Sequence, residues 1–144
     1  MKKLSKAAAI KHRLTRPSLI SLAAAALALS SGCASPCDNE LISTNPSPDG
    51  RVKAVVFIRA CGATTPIATE MSIVPARDGT PVGWANALTI SDDPDHPMQR
   101  SSEAIEVRLK WNSPDRLSVR FPRSASVGKR AEEVRGVHIE YDTF

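Results

Sequence analysis

Aromatic residues are scarce in this chain, with three Phe, two Trp and one Tyr in 144 residues. Any core must therefore be built mainly from Val, Ile and Leu, and the interleaving of aromatic and basic residues used to grip nucleic acid is missing. No stretch approaches the roughly 20 strongly apolar residues of a spanning helix. The longest apolar run, Leu19 to Leu29, has 11 residues, and counting generously from Ser18 to Ala34 gives 17, much of it alanine and serine. Cysteine is limited to Cys33, Cys37 and Cys61, with no Cys-x-x-Cys pair, which argues against a zinc ribbon. There is no Gly-x-Ser-x-Gly nucleophile elbow, and beyond the first 33 residues the only histidines are His96 and His138.

The first 33 residues are organised differently from the rest. Six cations (Lys2, Lys3, Lys6, Lys11, Arg13 and Arg16) come with no acid, then the apolar run, then Ser30-Ser31-Gly32 directly before Cys33. Charged, apolar and small segments in this order are those of a secretory signal, here expected as a signal helix over 1–32. The charge of the whole chain misleads for the same reason. Six of its nineteen basic residues belong to this leader, and from Cys33 onward thirteen face fifteen acids, a net charge of −2. Nucleic acid is not an expected partner of the mature part.

The patch Leu29-Ser30-Ser31-Gly32-Cys33 resembles the lipobox of bacterial lipoproteins, although Ser30 stands where Leu is commoner. The resemblance implies lipid attachment at Cys33, a membrane anchor, and a short tether over 33–39. Two alternatives stay open: a retained anchor helix, or ordinary signal-peptidase cleavage after Ala34, leaving a soluble exported protein that starts at Ser35. With Cys33 acylated or removed, Cys37 and Cys61 form an even pair in an oxidising compartment and read as a disulfide. A bridge closing that loop contributes roughly 3–4 kcal/mol in the chain-entropy model. The competing readings are a metal site or a reactive thiol.

About 110 residues remain, enough for a single domain with one core, expected over 40–144. Its pattern is strand-like throughout. A short candidate strand, Glu40 to Thr44, leads through Pro48-Asp49-Gly50 into Arg51 to Arg59. There Val52, Ala54, Val56 and Ile58 occupy one face and Val55 and Phe57 the other, as in a central strand with both faces covered. Further strands are expected at Ile67 to Val74 and, more weakly, Val82 to Ile90. Ile105, Val107, Leu109 and Trp111 alternate with Glu106, Arg108 and Lys110. After Asn112-Ser113-Pro114-Asp115, Leu117, Val119 and Phe121 alternate with Ser118 and Arg120, giving a hairpin with one wet face. Val137, Ile139 and Tyr141 mark a last strand, with Gly136 as a candidate bulge. Between Ser124 and Glu133 the alternation lapses, and a short helical turn is expected. The fold class is all-β: an antiparallel meander, either a curled sheet or a small sandwich.

The stretch from Ser47 to Phe57 (Ser-Pro-Asp-Gly-Arg-Val-Lys-Ala-Val-Val-Phe), followed by Arg59-Ala60-Cys61-Gly62-Ala63-Thr64-Thr65, resembles a family of small, uncharacterised bacterial exported proteins and lipoproteins. They share the Ser-Pro-Asp-Gly turn, a Val-rich strand, the Cys-Gly-Ala-Thr-Thr run and an upstream cysteine, matched by Cys37. Members usually carry Asp where this chain has Ala60. The resemblance covers Cys37 to Val74 and implies no activity. The Ser-Pro-Asp-Gly turn also resembles those of propeller blades, but one short stretch cannot make a propeller.

Two segments invite a chemical reading. Asp92-Asp93-Pro94-Asp95-His96-Pro97 is rich in oxygen ligands, yet it lacks the spaced register and terminal glutamate of an EF-hand loop and fits a solvated loop, so no metal is expected. Gly62, Ala63, Thr64 and Thr65 form a candidate binding loop, small residues with free hydroxyls beside a disulfide half. No catalytic residue and no cofactor is expected. The functional expectation is a lipid-anchored cell-envelope module that binds an envelope protein partner or plays a structural part. The alternatives are a periplasmic inhibitor or small-ligand binder and, third, a small hydrolase.

Overall fold

The Val-rich segment forms strand β2, Val52–Ala60, and it has a neighbour on each side. The computed structural model of the protein describes residues 37–62, 64–93, 95 and 104–144. The leader expected over 1–32, its signal helix and Cys33 lie outside the described residues. β2 pairs antiparallel with β1 (Asp38–Pro46) and β3 (Ala68–Pro75), and β4 (Leu88–Asp92) and β7 (Ala125–Arg130) complete a five-stranded sheet in the order β1-β2-β3-β4-β7. A second sheet takes β5 (Arg108–Ser113), β6 (Arg116–Phe121), β9 (Val137–Thr143) and the two-residue β8 (Glu133–Val134), in the order β5-β6-β9-β8.

The fold is all-β, two sheets facing each other across one core and not closed into a barrel. Alternation decides which side chains meet there. Ala54, Val56, Met71, Ile73, Leu88 and Ile90 of the first sheet pack with Leu117, Val119, Phe121, Val137 and Ile139 of the second. The expected stripe, which starts ahead of β5 and runs into it, joins them: Ile105 is buried, and Val107, Leu109 and Trp111 pack half-buried against the cluster. The Trp111 indole N–H, which would cost free energy if left unpaired, donates to Asn45 O at 3.1 Å. The opposite face of the second sheet is wet. Arg116 meets Glu140 at 3.6 Å and Arg120 meets Asp142 at 3.1 Å across β6 and β9, exposed pairs that add little stability.

Pairing is antiparallel everywhere except between β6 and β9, which run parallel. Parallel neighbours need a crossover. Here it leaves the second sheet, adds β7 to the edge of the first, and returns through β8. This is where the expected helical turn fails. Ala125–Arg130 is a strand, and its alternation is hidden because Gly128 is the extra residue of a bulge: Thr89 pairs Lys129 while Ile90 pairs Val127. An edge strand with five of its six residues exposed also has little reason to alternate. Gly136 is likewise part of a tight turn and not a bulge. Arg135 and Gly136 both have positive φ (54° and 75°), as a two-residue hairpin between Val134 and Val137 demands. The expected strand over Val82 to Ile90 shortens to Leu88–Asp92, because the residues before it serve another purpose.

The switch of the chain between sheets is held by Tyr141. Its hydroxyl lies 3.1 Å from Ala87 O and 2.9 Å from Ala131 O, so one proton is shared between two carbonyls of different segments. Burial pushes this phenol up to about 12, which keeps it a donor at all ordinary pH. The Ser-Pro-Asp-Gly turn is organised by a carboxylate. Asp49 accepts from Ser47 Oγ at 2.7 Å and from the Arg51 amide at 3.2 Å, and its other oxygen is held by the Arg51 guanidinium. Gly50 supplies the left-handed residue (φ 68°) that returns the chain to β2.

Tyr141→Phe is expected to lower stability by about 1 kcal/mol, read as a lower urea midpoint with an unchanged slope. The hydrogen bonds from Ser47 and Arg51 depress Asp49 from 3.8 to about 2 in the folded protein. Its contribution is therefore complete above the ordinary value and is lost as the pH falls through about 2. Asp49→Asn should flatten that part of an acid-unfolding profile.

Candidate functional site

The second face of β2 cannot be left in water. Val55 and Phe57 point away from the inter-sheet core and are fully buried. Their cover is the segment between β3 and β4, which folds back over the sheet and sets Ala85 on Val55 and Phe57, with Val74 packed beside them. Side chains of β3 stitch this segment down in place of a strand ladder. Asn86 N donates to Ser72 Oγ at 3.1 Å. The Asn86 amide both accepts from Ile73 N and donates to Ile73 O, each at 2.8 Å, extending the β3–β4 pairing ahead of the first residue of β4, Leu88.

Beneath the segment lies Glu70, opposite Phe57 on β2 and Thr89 on β4, with no exposed surface. One carboxylate oxygen accepts from Ala85 N at 2.8 Å, and the other is 3.5 Å from Thr89 Oγ1. The carbonyl of Ala85 accepts from Lys129 Nζ at 2.8 Å. One residue is thus gripped by an acid on its N–H and by a cation on its C=O. Burial raises the Glu70 carboxyl above its ordinary value, while its bond to the Ala85 amide, the charge of Arg59, the Thr89 hydroxyl and the charge of Lys129 oppose the rise.

Arg59 completes the arrangement from β2. It is 4 % exposed and donates to Asn39 Oδ1 at 2.9 Å, and its guanidinium carbon sits 4.5 Å from the centre of the Trp84 ring. Asn39 in turn donates to Pro81 O at 2.6 Å and Gly83 O at 3.0 Å. Trp84 is consequently held on one face and open on the rest, 68 % exposed, and Val82 two residues earlier is 93 % exposed. An exposed tryptophan fixed by buried charges is the reverse of ordinary economy, in which Trp is covered and charge is solvated. Beside it Trp84, Ala85, Thr89, Gly128 and Lys129 line a cleft of about 350 Å³.

The expected disulfide is present: Cys37 and Cys61 are joined, one step beyond the last β1–β2 pair, Asp38 with Ala60. The candidate loop follows it directly. Gly62 (φ 93°), Thr64 and Thr65 are exposed, Thr65 N donates to Gly62 O at 3.3 Å, and Ala63 lies outside the described residues. In the acidic segment Asp93 Oδ1 accepts from Asp95 N at 2.9 Å, an ordinary turn bond, while Pro94, His96 and Pro97 lie outside the described residues. Among the described residues no group of three or more His, Cys, Asp and Glu is placed to hold a metal. His138 is exposed on β9, 3.5 Å from Glu133 and on the other sheet from Glu70.

No protein-family model, no curated protein and no solved structure matches the chain.

Sequence reasoning singled out neither Glu70 nor Trp84. Glu70 and Ser72 alternate with Met71 and Ile73 and so read as a wet face. The only local hint otherwise is that Phe57, its cross-strand partner, must share that face.

Because ionised Glu70 is costly in the fold, its effect on stability is most favourable below the ordinary 4.5 and worsens as the pH rises through its raised folded value. Glu70→Gln keeps an acceptor for Ala85 N–H, so its stability relative to the parent should grow from pH 4 to pH 8. Glu70→Ala removes the same pH dependence but leaves that amide buried without a partner, so it should be about 1–3 kcal/mol less stable than Glu70→Gln at both. Denaturant titrations at the two pH values distinguish these outcomes.

Proposed function

We propose that the protein is a lipid-anchored module of the bacterial cell envelope, exported by its leader, acylated at Cys33 and facing the periplasm or cell exterior. Its domain acts by binding, not by catalysis, through the surface around Trp84. The observation that carries this reading is the rigid display of Trp84: Arg59, Glu70, Asn39 and Lys129 are spent on holding its segment still while the indole itself stays in solvent. Preorganised, exposed aromatic side chains are the usual anchors of binding surfaces, since little side-chain entropy remains to be lost. The disulfide supports an oxidising compartment. The lipobox-like patch supports the anchor, and the resemblance of Cys37 to Val74 to small exported bacterial proteins agrees with both.

A second reading, a small-ligand binder or inhibitor, is favoured by the cleft beside Trp84, whose volume of about 350 Å³ falls in the range of small-molecule sites.

Two measurements test the proposal. The intact mass of the mature protein should correspond to a Cys33 start with acyl chains; an unmodified Ser35 start would overturn the anchor. A photo-crosslinking residue at position 82 should form adducts in cells, and one at position 110 on the wet face of the second sheet should not. The reverse pattern would place binding on the other sheet.

A further inference from the structure

We infer that the Thr80–Trp84 tip is a second membrane contact, which lays the apolar side chains of Val82 and Trp84 into the lipid surface to which Cys33 tethers the domain. The inference rests on the lipoprotein reading and deepens it by naming what the Trp84 surface binds: the interfacial region of the bilayer.

The argument begins with where the chain enters the domain. Cys37 is fixed to Cys61, so the first described residue is pinned to the end of β2. The tip lies at this same end. Asn39 donates to the carbonyls of Pro81 and Gly83, and a single cleft of about 300 Å³ has Cys37, Asp38 and Asn39 on one side and Thr80, Pro81 and Val82 on the other. Three residues lie between Cys33 and Cys37, four steps of the chain. Fully extended they span roughly 14 Å. An acyl chain on Cys33 in the bilayer would therefore hold the Cys37 end, and the tip beside it, within about that distance of the headgroups. A domain tethered this closely meets the lipid surface with whatever it carries at that end.

What it carries suits the interface. Residues 80–85, Thr-Pro-Val-Gly-Trp-Ala, contain no charge. Val82 is the most exposed large apolar side chain among the described residues, and Trp84 has its ring available at the depth where indole is favoured. The carbonyls of Pro81 and Gly83 are already bonded to Asn39, so they carry no unpaired cost into a less polar medium. Arg59 is buried behind the ring and tied to Asn39, so it is not offered to phosphate. The exposed charge in this cleft is Asp38, an acid, and Lys129, which lines the cleft beside Trp84, has its ammonium bonded to Ala85 O. The contact is thus apolar and independent of anionic lipid.

The test uses the mature protein purified from the envelope and reconstituted into phosphatidylcholine vesicles with brominated acyl chains, alongside Trp84→Phe. Subtracting the two spectra isolates Trp84 from Trp111. The expected result is a blue-shifted Trp84 emission that brominated chains quench, unchanged when anionic lipid is added. Acylated protein whose Trp84 emission stays solvent-like and unquenched overturns the inference and leaves the anchor standing. So does an adduct from position 82 that contains only protein. If the mature protein proves to lack acyl chains, the lipoprotein reading fails on its own. The contact is then judged by sedimentation with the same vesicles: binding lost in the Val82→Ser, Trp84→Ser double variant supports it, and absence of binding by the parent overturns it.

Discussion

The burial of both faces of β2 is the constraint on which the rest of the structure depends. One face of Val52–Ala60 is covered by the second sheet, as in any sandwich. The other carries Val55 and Phe57, which among the described residues are covered by one short segment, that between β3 and β4. That segment has too little apolar content to bind by hydrophobic contact alone, since Ala85 is its one buried apolar contribution to the cluster. Polar side chains make up the difference. Ser72 and Asn86 restore the pairing that β4 does not reach, and Glu70 and Lys129 take the N–H and the C=O of Ala85. The fold thus places charge where a larger protein would place leucine.

Such an arrangement is weak as a source of stability. Buried carboxylates and guanidinium groups lose hydration that their partners only partly restore, and a well-packed apolar replacement is often as stable or more so. Its effect is on position. Because Arg59, Asn39 and Glu70 reach the segment from β2, β1 and β3, three strands of one sheet fix where Trp84 stands. The wet face of the second sheet makes the contrast plain. There Arg116 with Glu140 and Arg120 with Asp142 are exposed pairs, with Arg120 also lying over the Phe144 ring, and none of them is buried. The two outer faces have similar charged residue types and opposite consequences.

Much of this was legible in the sequence, and what was not has a common cause. Strands are legible where local period reports local burial: β3, β5, β6 and β9 alternate apolar with polar residues, and β2 is a short run apolar on both faces. The disulfide was legible by counting. Three features escaped. β7 lost its alternation to a Gly128 bulge at an exposed edge. The parallel pairing of β6 with β9 depends on a crossover through the other sheet. Glu70 looked solvated because its cover lies fifteen residues downstream in Ala85. Each depends on a partner that a window of neighbouring residues does not contain. Trp84 is the same case from the other side: its exposure follows from Arg59 and Asn39, residues more than twenty positions away.

The disulfide gains a meaning from the buried site that its stabilising effect does not supply. A cross-link of this span constrains the unfolded chain. Here it also removes freedom from the folded one, at the single point where a tether of a few residues would begin. Without it, β1 could fray from its first residues, and Asn39, two residues from Cys37, would release Pro81 and Gly83. Arg59 would lose its Asn39 acceptor next, and Trp84 the cation beneath it. The bond between Cys37 and Cys61 therefore lies upstream of the exposed indole in a chain of contacts. Redox state, edge-strand order and the presentation of Trp84 are coupled through one asparagine.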